Sequence, residues 1–285
     1  MLRSLTSAVS GLQNFQQRMD VIGNNVANVN TTAFKSARTD LADSFSATLR
    51  GSSAAASGGS GTSAMQIGSG VMTTAIKNIF AQGALTRTNV HTDLAITGEG
   101  FFVVRDTVSG IEYVTRAGDF RRDENGYLIT NTGMRVQGYT DNTHTTIGDI
   151  QIDATGAPNP LASMVSFAIG LDGKINVNMS DGSQFERGMI LLQNFLDPQG
   201  LMKEGNNLFS GIGAAGPLGG AASPTPAEPG TDGLGQIQAG ALELSNVDLA
   251  SEFTNLITTQ RAYQSNARVI TTSDEMLQEL VNLKR

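Results

Sequence analysis

The sequence predicts an α+β protein: N- and C-terminal helices pairing as a coiled coil, with an antiparallel β-rich middle domain. Three observations carry this prediction. Apolar residues step by three and four at both ends of the chain, Gly-terminated turns separate short apolar runs in the middle, and proline is absent before residue 158 and after Pro229.

At the N-terminus the stripe is Leu2, Leu5, Val9, Leu12, Gln16 and Met19. Its period is that of a packed helical seam. An Asn- and Thr-rich run follows, with Asn24, Asn25, Asn28, Asn30, Thr31 and Thr32. Such side chains compete with the helix for backbone groups, so the helix is predicted to end between Gly23 and Thr32. At the C-terminus, Ser245-Asn246-Val247-Asp248 reads as a Ser-x-x-Asp cap. Leu249, Phe253, Leu256, Gln260, Tyr263, Ala267, Ile270, Asp274, Leu277 and Val281 then step by four and three, apolar except at Gln260 and Asp274. Lys284 and Arg285 suit a helix C-terminus.

The middle reads as antiparallel strands. Residues 92–96 and 100–104 outline one pair. Residues 113–120 and 127–139 flank Asp123-Glu124-Asn125-Gly126, and 165–169 and 174–179 flank Leu171-Asp172-Gly173. Asp181-Gly182 leads on into 184–195. Asn-Gly and Asp-Gly suit hairpins because both residues tolerate positive φ. The predicted division is 1–35 with 240–285 as the helical domain, 36–70 as an extended strap with a Gly/Ser-rich loop at 51–64, and 71–239 as the β-rich domain with a small insertion near 140–163.

Composition narrows the function. The 285 residues carry a net charge of −7, and only 16% are charged. That acidity argues against nucleic acid, whose phosphates demand a basic face. Cys is absent, which removes disulfides and thiolate chemistry, and the two histidines, His91 and His144, leave imidazole catalysis little to work with. Neither a Sec-type apolar run nor a stretch long enough for a membrane span is present.

The motifs that invite chemistry fail on context. Residues 211–216 fit G-x-G-x-x-G, but Pro217, Gly219 and Gly220 follow at once and leave no room for the helix a dinucleotide site needs, so the stretch reads as a linker. Setting Gly126 at the sixth position of a calcium loop puts Arg121 and Thr132 at ligand positions. His91 stands without a second His nearby. The expectation is a non-enzymatic structural protein with no metal or cofactor.

The stripes themselves leave two readings open. One is a helical hairpin within the chain. The other, which the length favours, is self-assembly: a 245–285 helix would run about 60 Å, more than the β domain can cover. Each buried Leu contributes about 1.5–3 kcal/mol, so uncovered stripes would seek neighbouring copies.

The residues also resemble a known family. The stretch DVIGNNVANVNTTAFK at 20–35, which ends on Phe34 and Lys35, resembles the N-terminal signature of bacterial flagellar rod and hook proteins. DLAITGEGFF at 93–102 and YVTRAGDF at 113–120 resemble that family's β core. LSNVDLA at 244–250, with Ser245, Asn246 and Asp248, and QRAYQSNA at 260–267, with Gln260 and Arg261, resemble its C-terminal helix, as does DEML at 274–277. The resemblance implies a homopolymer that forms a hollow helical tube, with paired terminal helices lining the channel and β domains outside. It implies export through the flagellar type III apparatus without a cleaved signal peptide, and partners among distal rod, hook cap and hook–filament junction proteins. Within the family, FKSAR at 34–38, MQIGSGV at 65–71, Gly138-Tyr139, NFLDPQGL at 194–201 and ARVITTSD at 267–274 favour a compact hook protein over a distal rod protein. The short 140–163 stretch points the other way. A secreted β-rich adhesin remains the reading from another class.

Overall fold

The computed structural model describes residues 2–52, 61–157, 159, 162–218 and 226–283. They form two compact units: residues 1–27, 36–79 and 247–285 in the first, 28–35 and 80–246 in the second. These boundaries differ from the expected ones: 28–35 goes with the β-rich unit, and 36–79 goes with the helices.

The first unit holds two long helices, α1 (Leu2–Ala27) and, at the end of the chain, α3 (Leu249–Leu283). α1 stops where Asn28 begins a turn, its carbonyl accepting the Thr31 N–H. α3 begins one turn later than the expected cap. Asp248, not Ser245, is the capping residue: its Oδ1 accepts the Ala250 N–H at 3.0 Å, which satisfies a donor that the first turn leaves free. The expected basic end at Lys284 and Arg285 lies outside the described residues.

Strands Ala37–Asp43 and Val71–Asn78 pair antiparallel, with a bulge between Asp40 and Leu41. Beyond them Ser46–Arg50 pairs with Met65–Gly68. The expected strap is therefore a β-ribbon, except at 53–60, which lies outside the described residues. Sequence reading missed it because Ala37–Asp43 has no clean apolar alternation. Its support is polar and comes from α1. Asn25 brackets Ala37, accepting its N–H at 2.9 Å and donating to its carbonyl at 2.8 Å. Asn14 donates to the Val71 carbonyl at 2.9 Å and accepts from the Thr73 hydroxyl at 2.6 Å.

The second unit is built on a twelve-stranded sheet, counted over the described residues. Its main path runs Met164–Ile169, Lys174–Met179, Gln184–Ile190, Arg135–Tyr139, Phe101–Arg105, Glu112–Thr115, Leu208–Ser210 and Met202–Gly205. Neighbours pair antiparallel throughout. The turns at Gly173 and Gly182 take φ of +80° and +82°, as their Asp-Gly sequences predict. The 92–96/100–104 pair does not form. Leu94–Thr97 pairs instead with Gln236–Ala239, and Phe101–Arg105 pairs with Glu112–Thr115. Gly98 and Gly100, at φ of +112° and +128°, turn the chain away between them.

Side chains alternate across a strand, and here both faces are covered. Phe102 and Val104 enter a large core with Leu94, Ile96, Val136 and Ile190. Phe101 and Val103 enter a smaller one with Val114, Phe195 and Phe209. A strand buried on both faces reads as a continuous apolar run, which explains Phe101-Phe102-Val103-Val104. The 211–216 motif does hold a helix, α2 (Ile212–Ala215), contrary to the linker reading. Burial of Ile212 and Ala215 supports this single turn, and Gly216 in the left-handed region ends it.

The expected insertion contributes the strand Ile147–Asp149 and a loop that His144 pins down. His144 Nε2 lies 2.8 Å from Glu186 and Nδ1 lies 3.1 Å from Glu228, and the ring stacks on Tyr139. Two carboxylate partners require both ring nitrogens to donate, which only the imidazolium does. Hydrogen bonding to Glu186, then to Glu228, raises the His144 pKa. A raised folded-state pKa stabilises the fold fully below the ordinary histidine value, and the contribution is lost as pH rises through the folded value. Amide exchange in 141–146, corrected for intrinsic rates, is therefore expected to be slower at acid than at alkaline pH. His144→Ala is expected to remove the difference.

Candidate functional site

The expected seam residues lie in the first unit, where α1 and α3 pack together. Asn25 Nδ2 donates to Glu252 Oε1 at 3.1 Å, near the end of α1 and the start of α3. At the other end of the contact, a methyl group on Gly11 would stand 2.7 Å from the Asn266 amide nitrogen. The helices therefore run antiparallel, with the Asn266 side chain packed directly on Gly11.

This packing divides the expected α3 stripe in two. Leu256, Tyr263, Ile270 and Leu277, seven residues apart, are half-buried. Their companions on the protected face are Glu252, Thr259, Asn266 and Ser273, again at seven-residue spacing; Thr259 and Ser273 are buried. Sequence reading passed over this second set because it is polar. The signal was present as small or polar residues in strict register with the apolar ones. Small residues suit a close helix approach because they leave room for the facing backbone.

The rest of the stripe is left out. Leu249, Phe253 and Val281 are exposed, Phe253 at 50% and Val281 at 65%. Ile257, Val269, Met276, Leu280 and Leu283 are exposed with them. Phe253 and Ile257 lie one turn apart, and Val269, Met276 and Leu283 repeat every seven residues, so these side chains form flanks beside the helix–helix contact. On α1 the protected positions are Ala8, Gly11, Asn14, Ile22 and Asn25. Leu5, Leu12 and Met19 are half-buried and Val9 is 36% exposed; the side chain of Leu2 lies outside the described residues. The contact face of α1 is thus rotated from the expected stripe, because the helix must meet both α3 and the ribbon.

The ribbon adds a second apolar face. Ala47 stands opposite Ile67, with Met65 two residues along on the Ile67 side, and Phe45 and Leu49 flank Ala47 at two-residue spacing, Leu49 at a bulge between Thr48 and Arg50. Thr48 and Gln66 share the other side, where Gln66 Nε2 donates to Thr48 Oγ1 at 3.1 Å. Phe45, at 87%, Leu49, Met65 and Ile67 are all exposed.

The resemblance-bearing residues have mainly structural tasks. Asn25 is buried and joins α1, the ribbon and α3. Asn28 accepts the Thr31 hydroxyl at 3.0 Å. Asn24, Asn30, Gln260 and Arg261 are exposed, and Ser245 is half-buried. Asn246 donates to the Ala81 carbonyl at 3.2 Å. Phe34 and Lys35 are buried, and burial, opposed by Glu243, holds the Lys35 ammonium below the ordinary lysine pKa. No described helix is long and apolar enough to cross a membrane.

Three family models match the chain. "Flagella basal body rod protein" covers residues 5–35, "Flagellar hook protein FlgE/F/G D1 domain" covers 95–177, and "Flagellar basal body rod FlgEFG protein C-terminal" covers 238–283. Among similar proteins, the flagellar basal-body rod protein FlgG of Bacillus subtilis is 42% identical over 285 residues, covering all of both chains. The protein of that name from Borreliella burgdorferi is 34% identical, again across both chains. The flagellar hook protein FlgE of the same organism is 27% identical, in an alignment stretched to 449 positions.

Because Asn25 satisfies buried backbone groups on Ala37 and meets α3 as well, Asn25→Ala is expected to destabilise the full chain by about 1–3 kcal/mol. Urea denaturation followed by circular dichroism measures the loss.

Proposed function

The chain belongs to the bacterial flagellar rod and hook protein family, whose members self-assemble into the flagellar axial structure, and on that premise we propose that it is a subunit of the distal rod. This corrects the hook protein favoured from sequence. Full-length similarity to rod proteins at 42% and 34% identity supports the rod reading, and the hook relative matches only when the alignment opens to 449 positions. Two of the hook-like stretches, Gly138-Tyr139 and 267–274, fall within family models whose names span rod and hook proteins, so they do not discriminate. The length of 140–163 was the better guide.

The single observation that carries assembly is the exposure of both flanks of α3. Phe253, Ile257, Val269, Met276 and Leu283 are bulky, apolar and unburied by their own chain. Burying each against a neighbouring copy contributes up to about 1.5–3 kcal/mol. In this reading α1 and α3 engage the helices of adjacent subunits as a coiled coil, and the apolar face at Phe45, Leu49, Met65 and Ile67 is covered in the same tube. Other flagellar axial proteins meet the polymer at its ends, and the export apparatus delivers the chain. Nothing in the described geometry favours an adhesin.

Paired substitution Phe253→Asp/Ile257→Asp is expected to abolish tube formation in sedimentation and electron microscopy while the monomer keeps its circular dichroism spectrum and melting temperature. Leu256→Asp is expected to lower the monomer's melting temperature as well, because Leu256 already packs within the chain. Gold-labelled antibody on partly stripped flagella is expected to bind within the cell envelope; labelling of the extracellular bend would contradict the rod reading.

A further inference from the structure

Two of the stretches that resemble the family, and the residue just before a third, meet at one buried charge cluster in the second unit. Lys35 ends the first stretch, Arg116 lies in the second, and Glu243 stands immediately before the third. The Lys35–Glu243 ion pair measures 2.7 Å, and both side chains are wholly buried. Arg116 Nη1 stands 3.7 Å from the other oxygen of the same carboxylate. Glu243 Oε1 also accepts the Gly83 N–H at 2.8 Å, and Lys35 Nζ donates to the Ala81 carbonyl at 2.8 Å. The backbone closes the same junction, with the Ala33 N–H on the Glu243 carbonyl at 2.8 Å and the Asn246 N–H on the Phe34 carbonyl at 3.3 Å.

The charges do not balance. Two buried cations share one buried anion, with the exposed Glu99 near Arg116 as well, and Glu243 Oε2 and Arg116 Nε have no hydrogen-bond partner among the described residues. Take Glu243 away and both cations lose their buried counter-ion, so closing the unit carries a large desolvation penalty or strips the proton from Lys35. Yet Glu243 lies 208 residues after Lys35. A chain made N-terminus first contains both cations long before their counter-ion.

We propose that the Lys35–Arg116–Glu243 cluster is a closure lock, which keeps the β-rich unit open until residues 241–246 arrive and then shuts it in one step. Arg116 directly follows the strand Glu112–Thr115, and its guanidinium donates to the Gly98 carbonyl at 2.9 and 2.6 Å beside Phe101–Arg105. Burial of the central strands therefore carries Arg116 into the interior with them. Without Glu243, closing the sheet at its centre carries the full penalty of burying both cations without their shared counter-ion. The lock makes folding of the unit conditional on nearly the whole chain, whatever route the chain takes to its place.

Refolding of the full chain, followed by pulsed hydrogen exchange, tests this. The Ala33 and Gly83 amides are expected to gain protection in the same kinetic phase as the amides of the Phe101–Arg105/Glu112–Thr115 ladder. Earlier protection of that ladder overturns the proposal. Equilibrium unfolding adds an asymmetry that a mere structural contact does not produce. Glu243→Gln removes the buried counter-ion that both cations share and is expected to raise the unfolded fraction about a hundredfold or more. Lys35→Met leaves Glu243 facing Arg116 and is expected to raise it clearly less. Adding Lys35→Met to Glu243→Gln is expected to recover part of the loss, and equal effects of the two single changes overturn the proposal. Replacing Lys35, Arg116 and Glu243 together by Met is expected to give a folded chain whose central ladder now protects before Ala33; unchanged synchrony there also overturns it.

Discussion

The final helix carries more apolar surface than its own chain can cover. α3 is 35 residues long against 26 for α1, and it meets α1 along a face where half the positions are small or polar. The Asn266 side chain packs directly on Gly11, which sets that side of α3 against α1. The same geometry turns Phe253 and Ile257 to one flank and Val269, Met276 and Leu283 to the other. An isolated subunit thus has a defined fold and an unfinished surface, which is the physical requirement for a polymer built from identical parts.

Polar side chains hold the subunit where apolar ones are reserved. Asn25 and Asn14 anchor the β-ribbon by hydrogen bonds to backbone groups, so the ribbon does not spend its apolar face on α1. In the second unit the balance reverses. Its central strand is buried on both faces, and aromatic contacts such as Phe102–Phe120, at 5.1 Å between ring centroids, make its interior dense. Free apolar surface is thereby concentrated on the helices and ribbon.

Much of this was legible in the sequence. The heptad steps located both helices, and the Asp-Gly turns located two hairpins at Gly173 and Gly182. The failures have physical causes. The 92–96 strand found its partner far along the chain at 236–239, a pairing that no local signal encodes. The ribbon strand Ala37–Asp43 is held by asparagines from α1 and lacks the alternation by which strands are recognised. Packing within the chain uses Thr259, Asn266 and Ser273 beside Leu256, Tyr263, Ile270 and Leu277, polar positions that an apolar period does not pick out, and leaves Phe253 free. Lys35 and Glu243 carried no sequence sign of their union, because a buried ion pair between distant residues has no periodicity.

The chain contains no cysteine, so one introduced thiol reports on one position without background. Nitroxide labels at Phe253→Cys and Leu256→Cys, read by electron paramagnetic resonance before and after tube assembly, test the division of α3 most directly. The label at 253 should move freely in the monomer and become immobile in the tube, whereas the label at 256 should be restricted in both. A label at 253 that is already immobile in the monomer, or that stays mobile in the tube, would contradict the account.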